Sequence, residues 1–245
     1  MIDIHCHILP DVDDGATDLE EAVAMARMAA DCGVSDIIAT PHFRGSLDAT
    51  DRLARFVRRL WQLEKQLEQE NIPVRLHHGA EILCLPETVE LAMDEKLPTL
   101  GHSRYVLCEF YFDAPYEYMD RILSGISNAG YKVVVAHPER YDTVVRDPRR
   151  AERWFYKGYV LQMNKGSVLG AFGQRIQETA QQLLERGFVH MIASDAHSPR
   201  RRTTDLSLLR EWLLERYSQR YVQLLLKENP GRLLGGMDMA PVNSD

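Results

Sequence analysis

The feature that most limits what this chain can fold into is an alternation of short apolar strands with amphipathic helices, repeated seven times. The first strand lies in MIDIHCH. The second is SDIIATPH, centred on Ile37–Ala39, the third VRLHHGAEI and the fourth SRYVLCEF. The fifth is YKVVVAHPERY, the sixth YVLQMNKG and the seventh FVHMIASDAH. Thr17 and Glu20 form a T-x-x-E capping pattern that opens the first helix, which Gly33 ends. Further helices are expected over about 49–71, after Pro86, and over about 116–128, 148–156, 171–186 and 205–228. On the second of these helices Arg52, Arg55, Arg58 and Arg59 read as a solvated face. Strands that alternate with helices must run parallel, joined by right-handed crossovers. With no Pro/Ser-rich linker and no low-complexity stretch, residues 1–245 read as a single domain.

An open doubly wound sheet and a closed, TIM-barrel-like ring both satisfy this alternation. The polar residues decide between them. His5 and His7 stand two apart at the end of the first strand, so both imidazoles face one side. The loop that follows carries Asp11, Asp13 and Asp14 and turns at Gly15. His42 lies just beyond the second strand, Glu81 near the end of the third, Glu109 at the end of the fourth and His137 at the end of the fifth. Asp195 and His197 close the seventh. Six of the seven strands thus deliver a metal-ligating residue at the same end. In a closed parallel barrel those ends meet in one pocket, the usual active-site face. In an open sheet they would be strung out in a line. Carboxylates gathered in one mouth repel one another unless cations neutralise them, and mixed imidazole and carboxylate donors suit manganese, iron or zinc.

Charge and cysteine usage narrow the partners. The formal net charge is −7, from 29 basic and 36 acidic residues, which argues against a general nucleic-acid or membrane-surface binder. No apolar run is long enough to span a bilayer, and no signal peptide is visible at the N-terminus. Cys6, Cys32, Cys84 and Cys108 are scattered without a CxxC pair, as expected for reduced thiols in a cytoplasmic protein.

Taken in order, HCHILPDVDDG, ATPH, GAEI, CEF, VVAHPER and IASDAH resemble the motif series of the PHP (polymerase and histidinol phosphatase) superfamily. Within it, the chain resembles the bacterial manganese-dependent protein-tyrosine phosphatases of capsular and exopolysaccharide biosynthesis. That resemblance implies a distorted (β/α)7 barrel of the PHP type and three divalent ions, manganese first, with iron or zinc as alternatives. It implies a first metal held by His5, His7, Glu81 and Asp195, with Glu81 bridging to a second. The second adds Glu109 and His137, and the third uses Asp14, His42 and His197, with Asp13 as the rival of Asp14. It also implies two phosphate-binding arginines. Arg140 in the HPER turn matches one; the other falls among Arg200, Arg201 and Arg202, and spacing from His197 favours Arg202.

The chemistry implied is hydrolysis of a phosphomonoester by a metal-activated water, with the two arginines on the phosphoryl oxygens. The expected substrate is a phosphotyrosine protein, with the tyrosine-rich tail of a bacterial kinase as the partner the family suggests. A histidinol phosphatase or another PHP phosphoesterase is the competing enzyme reading. A metal-binding regulatory partner in polysaccharide assembly is the non-enzyme one. Cys6, although it lies between two expected ligands, should turn away from them toward the helices, because neighbouring strand residues alternate.

Overall fold

The computed structural model describes residues 1–45 and 49–242. Nine strands occur among them: β1 (Ile2–Cys6), β2 (Asp36–Ala39), β3 (His42–Arg44), β4 (Arg75–His78), β5 (Glu81–Leu83), β6 (Tyr105–Glu109), β7 (Lys132–Ala136), β8 (Val160–Asn164) and β9 (Met191–Ala193). All pairings are parallel. The strands form one sheet of order β1-β2-β4 and a second of order β3-β5-β6-β7-β8-β9.

These nine strands are seven staves, because two staves are broken. The stave expected as one strand in SDIIATPH splits at Thr40-Pro41 into β2 and β3, since Pro41 has no amide to continue the ladder. The Thr40 hydroxyl instead accepts from the Cys6 amide at 2.9 Å. VRLHHGAEI splits likewise at Gly79-Ala80 into β4 and β5. The two sheets are therefore continuous through both broken staves. Their remaining edges also meet. Cys6 bridges Ala196 in parallel, the Asp195 amide donates to the His5 carbonyl at 2.9 Å, and the His7 amide to the Ala196 carbonyl at 2.8 Å. First and last strands thus close the ring, giving an α/β barrel of the (β/α)7 kind, distorted at the breaks.

The helices are α1 (Leu19–Asp31), α2 (Ala49–Gln69), α3 (Pro86–Met93), α4 (Tyr116–Asn128), α5 (Asp142–Arg146), α6 (Arg149–Tyr156), α7 (Lys165–Val168), α8 (Gln174–Glu185), α9 (Ser207–Leu214), α10 (Gln219–Gln223) and α11 (Asn229–Leu234). α5 and α7 lie outside the expected set, and three of the expected helices differ from the pattern. The α1 cap is displaced by one residue: Asp18 accepts from the Glu21 amide at 2.9 Å, and the Glu21 carboxylate accepts from the Thr17 amide and hydroxyl. A carboxylate one position later outcompetes the threonine hydroxyl as acceptor. The helix expected over 171–186 begins only at Gln174. The long final helix is broken, first where Ser218 caps α10 and again at a π-helical turn over Leu224–Glu228. That wide turn precedes Pro230, whose ring nitrogen cannot donate to the helix.

Alternation along the strands sorts side chains into two cores. Ile4, Ile38, Tyr105, Leu107, Val134, Val160, Met191 and Ala193 fill the barrel interior. Val106, Cys108, Val133, Val135, Leu161, Met163 and Ile192 face the surrounding helices. Followed toward the strands' C-terminal ends, the inward rows turn from apolar to polar. Leu107 gives way to Glu109, Val160 to Gln162 and Asn164, and Ala193 to Asp195, so the functional layer lies directly on the apolar one.

Candidate metal centre

In β1 the inward row changes phase. Ile2 and Asp3 pair with Asp36 and Ile37, but Cys6 pairs with Ala39, so β1 holds one residue more than β2 over the same span. This bulge switches the side facing inward. Ile4 packs inside the barrel, and so do His5 and His7, whereas Cys6 joins the helix-facing core as expected. Burial pushes the Cys6 thiol well up, as suits a packed residue rather than a nucleophile. The amides near the bulge find a substitute acceptor in Asp3, whose Oδ1 accepts from the amides of His5 (3.4 Å) and Ser194 (3.0 Å).

The nine candidate ligands converge on one pocket. His5 Nε2 and His7 Nε2 are 3.3 Å apart, and each lies 3.2 Å from a Glu81 oxygen. Asp195 Oδ1 sits 3.5 Å from His5 and 3.6 Å from His7. His137 Nε2 reaches Glu81 at 3.0 Å and Glu109 at 3.7 Å. Asp14 Oδ1 lies 3.3 Å from His42 Nε2 and 3.6 Å from His197 Nε2. His42 also turns its Nδ1 to Glu81 (3.1 Å) and Glu109 (3.6 Å), which makes it a hinge between two groups. Three overlapping sets result: His5, His7 and Glu81; His42, Glu81 and Glu109; and His7, Asp14, His42 and His197. Within each, the donor atoms lie within 4.8 Å of one another, close enough to share a cation.

Electrostatics agrees with the spacing. Burial pulls His5 down, but Glu81 and Asp195 outweigh it and hold the imidazole at about 9. His7 is raised well above its ordinary value against the same burial, by Asp13 and Glu81. Glu81 is held well below the carboxylate range despite burial, chiefly by His5 and His137, while burial and Glu81 together push Glu109 up. Burial also opposes ionisation of Asp195, yet His5 and Arg202 keep it at about 2. Burial and His7 lower His197 to about 3. Dense negative charge that keeps protons on His5 and His7 is a field into which divalent cations fit.

Backbone strain aims several of these groups. His137 (φ 32°), Asp195 (φ 49°) and Arg202 (φ 49°) all adopt left-handed conformations without being glycine. A Cβ on Gly15 would lie 2.1 Å from the His7 carbonyl oxygen, so only glycine lets the aspartate loop fold against the ligand strand.

The two aspartates separate cleanly. Asp13 does not face the pocket but braces it, accepting from His7 Nδ1 at 2.8 Å and from the amides of His42 (2.9 Å) and Gly15 (3.0 Å). Asp14, with its side chain 66% exposed, is the one grouped with His42 and His197. The arginines separate as well. Arg202 Nη2 lies 2.5 Å from Asp195 Oδ2, and Arg140 Nη1 lies 3.4 Å from the same oxygen. Arg200 is 84% exposed and no nearer than 3.9 Å to Glu21, away from the pocket. On α2, Arg55 and Arg59 are not simply solvated: both bind Asp11, which ties the helix to the aspartate loop.

β8, the one stave without a candidate ligand, supplies supporting groups. Gln162 Oε1 pairs with His5 Nδ1 at 2.9 Å, leaving Nε2 for the pocket. The Asn164 amide group donates to Asp195 Oδ2 and its Oδ1 accepts from the Gly166 amide. Lys165 is buried and donates to the carbonyls of Thr203 and Asp205, which pins the loop carrying Arg202. Gln162 and Asn164 escape a search for ligand types, but two polar residues at i, i+2 in a buried strand are the signal that marks them.

The profile of the family described as capsular polysaccharide synthesis, CpsB/CapC, matches residues 1–235. The chain belongs to this family. It is 35% identical over 237 residues to the tyrosine-protein phosphatase YwqE of Bacillus subtilis, covering 96% of this chain and 91% of that one. A solved structure from work on YwqE and on CpsB from Streptococcus pneumoniae, described as unique metal-dependent tyrosine phosphatases, superimposes with a TM-score of 0.87. It is 32% identical and covers 100% of this chain and 99% of that one. Outside the CpsB/CapC family, histidinol phosphate phosphatase from Lactococcus lactis shares the fold at a TM-score of 0.52 and 14% identity, covering 82% of this chain and 87% of that chain.

Proposed function

We propose that this chain is a metal-dependent phosphotyrosine phosphatase acting in capsular or exopolysaccharide synthesis. The observation that carries the reading is one pocket in which three overlapping His/Asp/Glu sets lie beside two inward arginines, in a member of the CpsB/CapC family. His5, His7, Glu81 and Asp195 would hold one ion; Glu81, Glu109 and His137 a second; Asp14, His42 and His197 a third. Manganese is the first choice from the family resemblance; the mixed imidazole and carboxylate donors suit manganese, iron or zinc. Bound ions supply Lewis-acid polarisation of phosphoryl oxygens and a water acidic enough to act as nucleophile at neutral pH.

The chain's own groups do the rest. Arg140 and Arg202 bind the equatorial phosphoryl oxygens, exchanging their contact with Asp195 for the more highly charged substrate. Asp13 and Gln162 orient His7 and His5. A tyrosine leaving group, with a pKa of about 10, departs without a dedicated acid. The substrate is a phosphotyrosine protein, with the tail of a tyrosine kinase as the partner the family suggests, and residues 1–245 act as one catalytic unit. No helix among the described residues is long and apolar enough to cross a membrane. The four cysteines are unpaired, which supports a reducing cytoplasmic setting.

The test is a panel of phosphotyrosine peptide, phosphoserine peptide and histidinol phosphate with manganese-replete and chelator-stripped protein. Turnover of the first alone, abolished by chelation and restored by Mn²⁺, is expected. Full activity in verified metal-free protein, or preference for histidinol phosphate, overturns the reading.

A further inference from the structure

Beside the ligands, the mouth of the pocket carries an aromatic wall to which no role has been given. Arg140 is sandwiched: its guanidinium carbon lies 4.4 Å from the centroid of Phe112 and 4.3 Å from that of Phe172. Phe172 can stand there because residue 166 is glycine; a Cβ at that position would meet its ring at 2.7 Å. The stack fixes Arg140 with both faces covered, and leaves its N–H edge to Asp195, which Nη1 meets at 3.4 Å, or to a phosphate. Phe112 is fixed in turn. Its carbonyl accepts from the Asp142 amide at 2.8 Å, and its ring lies 6.0 Å from His137 and 6.3 Å from Tyr141. Yet 40% of Phe112 remains exposed, and its neighbour Tyr111 is more exposed still. A rigid phenyl ring, one side on the phosphate-binding arginine and part of its surface open at the pocket mouth, is placed to meet whatever the phosphoryl group is attached to.

We propose that Phe112 recognises the aryl group of the substrate and is a determinant of aryl over alkyl phosphate selectivity. This rests on the phosphatase reading above. A phosphate held by Arg140 and the ions brings its ester substituent out along this wall. A flat aromatic ring gains offset or edge contact with Phe112, while a serine methylene is too short to reach it. Phe172, stacked on the same guanidinium at 4.3 Å, is assigned the part of positioning Arg140.

Competitive inhibition separates these parts without leaving-group chemistry. With metal-replete enzyme and p-nitrophenyl phosphate as reporter, Ki is measured for phenylphosphonate, methylphosphonate and inorganic phosphate. In the wild type, phenylphosphonate should bind more tightly than methylphosphonate. Phe112→Ala should weaken phenylphosphonate about tenfold more than methylphosphonate, and Phe112→Tyr should restore the preference. Phe172→Ala should weaken all three alike. A Phe112→Ala enzyme with an unchanged Ki ratio overturns the inference while leaving the phosphatase reading intact. A wild-type enzyme that binds none of the three and turns over no aryl phosphate overturns both.

Discussion

Replacing Asp13 by asparagine should damage metal binding and stability together, although Asp13 is in none of the candidate metal sets. Its Oδ2 receives both the His7 Nδ1 proton and the His42 amide, and its Oδ1 receives the Gly15 amide. An asparagine must present its NH2 to one of these donors, so at least one buried contact becomes repulsive. Burial opposes the Asp13 charge, but the bonds from His7 and the two amides hold it at about 2 rather than 3.8. That difference corresponds to about 2 kcal/mol. The sign follows from the depressed value: the contribution is complete above pH 3.8 and is lost as pH falls through about 2. At neutral pH, Asp13→Asn should therefore cost about 2 kcal/mol, or roughly 4–8 °C in Tm for a domain of this size. Without its carboxylate partner, His7 is a weaker and less oriented ligand, and metal affinity should fall about 10- to 100-fold. Asp14→Asn is the control. Its exposed side chain should be nearly neutral for stability and should remove one ion only. Thermal unfolding and chelator-competition titration with Mn²⁺ measure both quantities. If Asp13→Asn is silent in both while Asp14→Asn destabilises the fold, the bracing and ligating roles are reversed.

Glu81→Ala should empty the pocket of most of its metal, because four imidazoles lie within 3.2 Å of that one carboxylate; Glu109→Ala should remove less, and equal losses by elemental analysis would contradict the bridge. Arg202→Ala should lower kcat/KM by the equivalent of about 2–4 kcal/mol at unchanged metal content, and an Arg200→Ala enzyme with the same deficit would place the phosphate contact elsewhere in the loop. Outside the pocket, burial lowers His190 to about 4, and its Nδ1 must stay unprotonated to accept from the Leu161 amide at 3.1 Å. Its depressed value means full stability above about pH 6.5, lost progressively as pH falls toward 4 and amounting to about 3 kcal/mol. Urea unfolding of chelated wild type and His190→Asn between pH 7 and 4.5 should show the steeper loss in the wild type, and parallel curves would refute the assignment.

Much of the pocket is legible in the sequence because most staves keep one phase from apolar core to ligand. Tyr105, Leu107 and Glu109 alternate without interruption, as do Met191, Ala193 and Asp195, so the apolar row announces which polar residue faces inward. β1 breaks that rule. Strict alternation from Ile2 and Ile4 would turn His5 and His7 outward, and only the extra residue against β2 brings them in. A bulge is set by pairing with a neighbouring strand, which no single segment displays. The broken staves escape for the same reason, although Pro41 hints at one. Gln162 and Asn164 escape for a different reason, as does the bracing part of Asp13, which the sequence shows only as a rival ligand: they act through a candidate ligand, and their residue types serve equally as ordinary polar contacts. Arg202 stands apart from its neighbours only once the loop is folded over Asp195 and held from beneath by Lys165.

Closure of the ring by its first and last strands also fixes when the pocket can exist. His5 and His7 leave the ribosome before the other candidate ligands, whereas Asp195, His197 and Arg202 follow only after the intervening staves have been made. On a nascent chain the early imidazoles have no carboxylate from β9 beside them, and the amide contacts across that seam cannot form. A complete site is therefore a property of the finished barrel. Tight capture of the metal should report that β1 and β9 have met, and a truncation before β9 should leave the early histidines as weak, solvent-competed ligands.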